Sequence, residues 1–539
     1  MSRGKFFLTT AIDYPNSRPH IGTAFEKIGA DVQARYRRQQ GYDVRLLMGN
    51  DENTIKVVER AEALGLEPKP YVDDMARQFR EVWDALEISY DDFIQTSEER
   101  HRIGCQQFIQ RVYDAGDIYK KNYEALYCEG CEEFKTESQL NAERRCPNHP
   151  QRDLKLVQEE NYFFRLSKYG PRLLEHYAAH PEFIQPESRR NEIVSLVKSG
   201  LEDISISRRD FTWGIDIPWD AEHKIYVWFD ALLNYITGIG YGTDPALFAR
   251  YWPADVHFIG KDITRFHCAL WPAMLWSAGV ELPRQVFAHG FVYLKNETTD
   301  EVQKISKSLG NVIEPLDIVR KFSSDAFRYY FMRECPFGGD GEFSFTRFAG
   351  SYNGDLANNL GNLFSRTVSM ALRYFEGQLA GSQSIAPEEI FAGIDLPAVV
   401  AEIAGEIEDC RYAAALELIW RQVLDTGNRY IEEQKPWLLA SPGKPEYDLE
   451  ACRRVMVNLA EGVRVAAILV KPFLPDAAAK LYAGFNYPTP FAEATFATAA
   501  RRPVLTEDLR VTAPLTDDGK VTPLFPKIDL KAEPAAGKK

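Results

Sequence analysis

Long apolar runs are missing from this 539-residue chain. The best candidate, Val465 to Val470, is stopped by Lys471 and Pro472, well short of the ~18 residues a membrane span needs. No membrane association is therefore expected. Cysteine is scarce too. Eight in such a length cannot staple a secreted disulfide scaffold, and a cytoplasmic protein is expected instead. Excess positive charge is absent: 64 Lys and Arg against 78 Asp and Glu leave −14, so any nucleic-acid binding must rely on a local basic surface. A signal peptide is lacking as well. The apolar stretch Phe6 to Ile12 ends at Asp13 and Pro15 with no small-residue cleavage pattern, and it reads as a buried first strand. Internal repeats and low-complexity blocks are not found. What is present is 45% hydrophobic and 26% charged residues, a globular balance in a chain too long for one core.

The patterning predicts an α/β chain with a Rossmann-type parallel sheet. Lys5 to Ile12 reads as strand, Gly22 to Gln40 as helix, Val44 to Met48 as strand, with helix again after Asn53. This rhythm breaks between 116 and 222, then reappears at Lys224 to Phe229 and Val256 to Ile259, which implies an inserted domain. From Ala349 the period becomes helical: Leu356, Leu360, Leu363 and Phe364 fall on one face, and 395–435 and 449–471 behave alike, predicting a helical bundle. The expected divisions are 1–115 and 223–303 for the two halves of the parallel-sheet domain, with 116–222 as an insertion between them. A loop-bearing region then covers 304–348, the bundle 349–500, and a terminal segment 501–539, of which Lys531 to Lys539 reads as a frayed tail.

Two short segments carry phosphate chemistry. Tyr14-Pro15-Asn16-Ser17-Arg18-Pro19-His20-Ile21-Gly22 lies between the first strand and the first helix, where a helix N-terminus offers N–H groups and a positive dipole to an anion. Gly22 permits close backbone approach, and His20 can donate to phosphate. Lys304-Ile305-Ser306-Lys307-Ser308-Leu309-Gly310-Asn311 pairs two lysines on a loop suited to wrapping a polyphosphate. Each alone also fits a bland reading, a capped turn and a solvated loop. A third signal is Cys128-x2-Cys131-x14-Cys146-x2-His149, the spacing of a tetrahedral zinc knuckle in which all four positions are filled by protein, hence structural.

Together the first two segments resemble the HIGH and KMSKS signatures of class I aminoacyl-tRNA synthetases, and more specifically those of the methionyl-tRNA synthetase family. The resemblance extends over Lys5 to Asp529 through further blocks: Tyr226 to Tyr235, Phe258 to Ile263, Phe266-His267, Gly361 to Arg366 and Lys435-Pro436-Trp437. It implies a methionine–tRNA ligase that forms methionyl-adenylate from ATP and methionine and charges methionine tRNA, the initiator included. In this correspondence His20, Lys304 and Lys307 are catalytic, and these three with Gly22 and Thr23 contact ATP and its Mg²⁺. Ile12, Tyr14, Asp51, Trp228, Tyr235, Ile263 and His267 surround methionine, Asp51 holding its ammonium and Tyr14 and His267 offering polar contacts to sulfur. Asn362, Arg366 and Trp437 read the anticodon. One zinc per chain, no obligate protein partner and a monomer are implied.

The sequence departs from the family pattern at Thr23, where HIGH has its second histidine, and at Asn53-Thr54, where a His-Gly pair is usual. An active ligase with adjusted nucleotide contacts is expected, and these departures are the best argument for a rival, a catalytically weak paralogue retained for RNA binding or regulation. A ligase for leucine, isoleucine or valine would need an editing insertion for which 116–222 leaves little room, and a cysteine enzyme would put its zinc in the amino-acid pocket.

Overall fold

The computed structural model describes residues 3–128, 133–135, 140–147, 150–209, 211–297, 299–305, 312–379, 389–501 and 508–528; side chains at 123–125, 133–134, 157–159, 304 and 389 are outside that description. Lys307, Cys131 and His149 lie outside the described residues.

Six parallel strands form the central sheet: β1 Lys5–Thr10, β2 Asp43–Asn50, β3 Asp92–Gln95, β4 Ile184–Gln185, β5 Val256–Gly260 and β6 Val286–His289, in the order β3-β2-β1-β5-β6-β4. Both faces of such a sheet are covered by helices, so its strands read as continuous apolar runs, and the last four residues of β1 and all of β5 are buried. The chain moves outward from β1 through β2 to β3 and returns on the other side at β5. The crevice between the carboxyl ends of β1 and β5 is therefore the topological switch point, where open α/β sheets bind ligands. Gly49 near the end of β2 keeps that crevice tight, since a Cβ there would fall 2.2 Å from the Ile94 carbonyl oxygen and 3.1 Å from Ile12 Cγ2.

Two expectations need correction. Lys224 to Phe229 does not rejoin the parallel sheet: Asp220–Ile225 is an antiparallel strand of a separate three-stranded sheet, and Val227–Ala231 is helical. The short apolar run fits either state by pattern. Helix wins because it buries Phe229, Leu232 and Leu233 together against the catalytic core. Conversely, Ile184–Gln185 lies inside the stretch expected to be an insertion yet pairs with Val286–Phe287 as the sheet's edge strand. The inserted antiparallel sheet is built from Ile118–Cys128, Glu133–Lys135, Lys155–Phe164 and Ile204–Ser205.

Beyond residue 349 the chain is helical as expected, with Leu356, Leu360, Leu363 and Phe364 all buried. The terminal segment returns across this region, where Ile528 exchanges two 2.9 Å hydrogen bonds with the Asn353 side chain. One continuous apolar core runs from the catalytic helices into the helical region. Where the two meet, the fully buried Arg328 on the helix Ser324–Glu334 pairs with Asp31 at 2.7 Å and donates to the carbonyls of Phe473, Pro472 and Leu86. Burial alone would raise the Asp31 carboxyl. Arg35, Arg328 and hydrogen bonds from Ser89 outweigh it and hold the group at about 2.

Replacing Arg328 by Met removes one of the two guanidiniums that answer Asp31 and leaves three buried carbonyls without their donor, and it should cost about 3–5 kcal/mol, read as a fall in melting temperature. Because the folded Asp31 titrates below its ordinary value, its contribution is fully present above pH ~4 and is lost as pH falls through about 2. Asp31→Asn should accordingly flatten the acid limb of the stability profile.

Candidate active site

The helix α1, Ile21–Gln39, starts where β1 has ended, and His20 is its N-cap. His20 Nδ1 accepts from Gly22 N at 3.1 Å and from Thr23 N at 3.3 Å, which leaves the ring proton on Nε2. Ile21 N donates to Ile313 O and Ala24 N to His20 O. All four N–H groups of the first turn are thus committed, and the free backbone donors expected for a phosphate are not there. What this helix end offers an anion is its dipole and the Nε2–H of His20.

Ile313 follows the lysine-bearing loop directly, and its contact with Ile21 brings the chain after that loop to the start of α1. On the other flank of that loop, Val302–Lys304 is a strand antiparallel to Val292–Lys295, which continues from β6. Beneath them sits a buried group of charges from β1, α1 and β6. Lys27 Nζ bridges Glu26 at 2.7 Å and Asp13 at 3.1 Å, and His289 Nε2 meets the second Glu26 oxygen at 2.9 Å. Burial pushes the Asp13 carboxyl up to about 6, against the pull of Lys27, whereas Lys27 and His289 overcome burial to keep Glu26 below its ordinary value.

The predicted methionine residues form one wall at the switch point. Tyr14 meets Trp228 edge-on with centroids 6.5 Å apart, and Trp228 stacks on Phe266 at 3.9 Å and 5°. Ile12, Ile263 and Phe266 pack on the cluster that holds Tyr235. Asp51, 3% exposed, is tied to this wall by its N–H, which donates to Asp13 O. His267 is buried and kept neutral by that burial, its titration lowered to about 4. Its Nδ1–H donates to Ile263 O at 3.1 Å, so Nε2 is an acceptor and takes the Tyr235 hydroxyl proton at 2.6 Å. His267 consequently has no N–H left for a thioether, and in this arrangement it orients Tyr235. His257 stacks beneath Tyr235 at 4.2 Å.

Phe266, His257, His101 and Asp230 carry no role in the sequence reading. Phe266 was visible beside His267. The others have no local signal, because their partners lie far away in the chain. Among the described residues, His101, Cys105 and Asp230 form a group of three metal-capable side chains. His101 Nε2 and Asp230 Oδ1 are 2.6 Å apart, a hydrogen-bond length and shorter than the roughly 3.3 Å that two ligands of one tetrahedral zinc keep. This trio is a hydrogen-bonded cluster. Of the predicted knuckle, Cys128 and Cys146 are both buried.

In the helical region Asn362 and Arg366 project from the helix Gly361–Phe375 into a surface depression of about 370 Å³, shared with Asn359, Asn428 and Glu432. Asn362 Nδ2 lies 3.4 Å from Asn428 Oδ1, and Arg366 pairs with Glu432 at 2.7 Å. Lys435 ends the preceding helix in a left-handed conformation and Pro436 opens the next turn, which sets the half-buried Trp437 with its ring 5.9 Å from the Arg366 guanidinium carbon. A larger concavity of about 720 Å³, lined by Arg172, His176, Trp276 and Leu282, holds none of the predicted residues.

The chain matches the family model described as class I tRNA synthetases (M) over residues 6–158 and 151–368, and the anticodon binding domain of methionyl tRNA ligase over 381–513. A methionine–tRNA ligase of Caldanaerobacter subterraneus subsp. tengcongensis is 43% identical over 535 residues, 98% of this chain and 80% of that relative. The Bacillus subtilis ligase is also 43% identical, over 88% of this chain and 72% of the relative. Mycobacterium tuberculosis methionyl-tRNA synthetase in complex with methionyl-adenylate superposes with a TM-score of 0.88 at 39% identity, over 97% of this chain and all of that one. With a parallel sheet whose switch point carries the His20 helix cap, and with this similarity along almost its whole length, the chain belongs to the methionyl-tRNA synthetase family of class I tRNA synthetases.

Proposed function

We propose that this chain is an active methionine–tRNA ligase. The observation that carries the reading is the convergence, at one switch point, of the His20 helix cap, the segment after the lysine loop and the Tyr14-Trp228-Tyr235 wall. In the first step a methionine carboxylate oxygen attacks the α-phosphorus of ATP, the bond to the bridging oxygen breaks, and pyrophosphate leaves. A terminal ribose hydroxyl of methionine tRNA then attacks the carbonyl carbon and releases AMP. The protein's contribution is positioning and charge stabilisation. His20 Nε2–H donates to phosphate, Lys304 and Lys307 hold pyrophosphate, and Mg²⁺ accompanies the nucleotide phosphates. Thr23 stands beside the His20 ring, and Thr54 caps the helix Ile55–Ala63 through Val57 N, so both departures from the family pattern serve local structure and neither intrudes on the wall.

The dual role of His20 makes the test sharp. His20→Asn keeps a cap acceptor and should leave the melting temperature nearly unchanged. Methionine-dependent ATP–pyrophosphate exchange should still fall by about 10² to 10³, as for Lys307→Ala, the scale of one lost preorganised contact. Exchange within twofold of wild type for both variants would remove these side chains from the mechanism.

Anticodon reading falls to Asn362, Arg366 and Trp437. Trp437 is half-buried and shares its surroundings with the Arg366 guanidinium, 5.9 Å from the ring. Trp437→Ala should cost about 1 to 3 kcal/mol of tRNA binding, measured by titration, with tRNA-independent exchange unchanged. A parallel fall in exchange and melting temperature would instead mark the ring as core.

A structural zinc fits the donor set of the inserted sheet, because Cys128 at the end of a strand and Cys146 both bury a thiol, each one member of a paired spacing. Cys128, Cys131, Cys146 and His149 would hold it, and bound metal would supply folding free energy to the insertion, not chemistry. Elemental analysis should return one zinc per chain, and chelation should lower the melting temperature of the insertion first.

A further inference from the structure

A chain of buried hydrogen bonds runs behind the methionine wall and ends on a side chain that the family pattern does not provide. Thr237 and His101 are both fully buried, and the Thr237 hydroxyl meets His101 Nδ1 at 2.7 Å. His101 Nε2 donates to Asp230 Oδ1 at 2.6 Å. The second oxygen of this fully buried carboxylate accepts from Asn53 Nδ2 at 2.8 Å, and the other amide proton of Asn53 goes to Thr96 O at 3.0 Å. Both protons of the Asn53 amide are therefore spent, which fixes the plane and the sense of the carboxamide. Oδ1, with no donor among the described residues, is the one polar atom of that side chain left for a ligand. Asn53 is half-buried and follows Asp51 at the carboxyl end of β2, on the rim of the crevice.

We propose that Asp230, braced by His101, is a positioning residue that locks Asn53 so that its carboxamide oxygen accepts a hydrogen bond from a hydroxyl or ammonium of the bound substrate. A carboxylate is the acceptor this needs. A neutral amide at 230 would satisfy His101 with its oxygen and present N–H to N–H at Asn53. Asp230 also lies between Trp228 and Tyr235, so the same carboxylate ties the rim residue to the helices that carry the wall. The Asn-for-His departure is thereby built into the site by dedicated partners.

The inference rests on the ligase reading for its kinetic test and has a second readout that does not. His101→Leu deletes the donor to Asp230 at similar volume, and His101→Gln can restore a donor. Leu should lower kcat/KM for exchange roughly tenfold, mostly through KM of the substrate that donates to Asn53, and Gln should recover most of it. In an Asn53→Ala background the effect of His101→Leu on exchange should vanish while its effect on melting temperature persists. Equal losses in both backgrounds would overturn the proposal. Independently of activity, the side-chain amide resonances of Asn53, identified by their absence in Asn53→Ala, should shift and broaden in His101→Leu and in Asp230→Asn. Unchanged resonances would overturn it as well. A wild-type protein with no exchange would refute the ligase reading alone, and the resonances would then decide this one.

Discussion

The Asp31–Arg328 pair holds the rest of the molecule in register. It is fully buried, and the guanidinium spends its fork of donors on one carboxylate from α1 and three carbonyls from two other regions. Burying charge is costly unless every partner is supplied, so this joint tolerates few alternative docking arrangements. Because α1 begins at His20 and runs to Gln39, the joint also fixes the helix whose first turn faces the crevice. The parallel-sheet region and the helical region thus pack as one body across this joint.

At the crevice the same logic appears in smaller groups. Two carboxylates, Asp13 and Glu26, are answered by Lys27 and His289, so each acid has a partner supplied within the fold. The neighbouring His267 follows the opposite rule: burial keeps it neutral, and each ring nitrogen has one fixed job. His20 joins two readings that the sequence sets against each other, since its Nδ1 caps the helix while its Nε2 keeps the proton. Preorganisation here comes from committing donors and acceptors before any substrate arrives.

Local geometry contributes in a way that no pattern announces. Stretches of π-helix cover Phe266–Leu270, Tyr352–Leu360 and Trp420–Leu424. The first contains Phe266 and His267, the second precedes Asn362, and the third precedes the helix bearing Asn428 and Glu432. A wider turn displaces the side chains after it from their α-helical bearing, which accounts for π turns recurring at functional sites.

The sequence by itself determined the parallel-sheet class, the helical second half and the two signature segments. Each is written in a contiguous pattern: a strand buried on both faces, a 3.6-residue stripe, a short motif at a strand end. Tertiary structure alone decided what depends on partners distant in the chain. Lys224 to Phe229 could pair or coil by pattern, and the structure divides it: Lys224 and Ile225 pair in the small antiparallel sheet, and burial of Phe229 with Leu232 and Leu233 makes the rest helix. Ile184–Gln185 is too short to announce itself, and only β6 makes it a strand. The bond from Ile21 N to Ile313 O, the one from the Tyr235 hydroxyl to His267 and the brace from His101 through Asp230 to Asn53 all join residues tens to hundreds of positions apart. Hydrogen-bond satisfaction in a buried site is settled by which groups packing brings within 3 Å, and that distance is not a property of any segment alone.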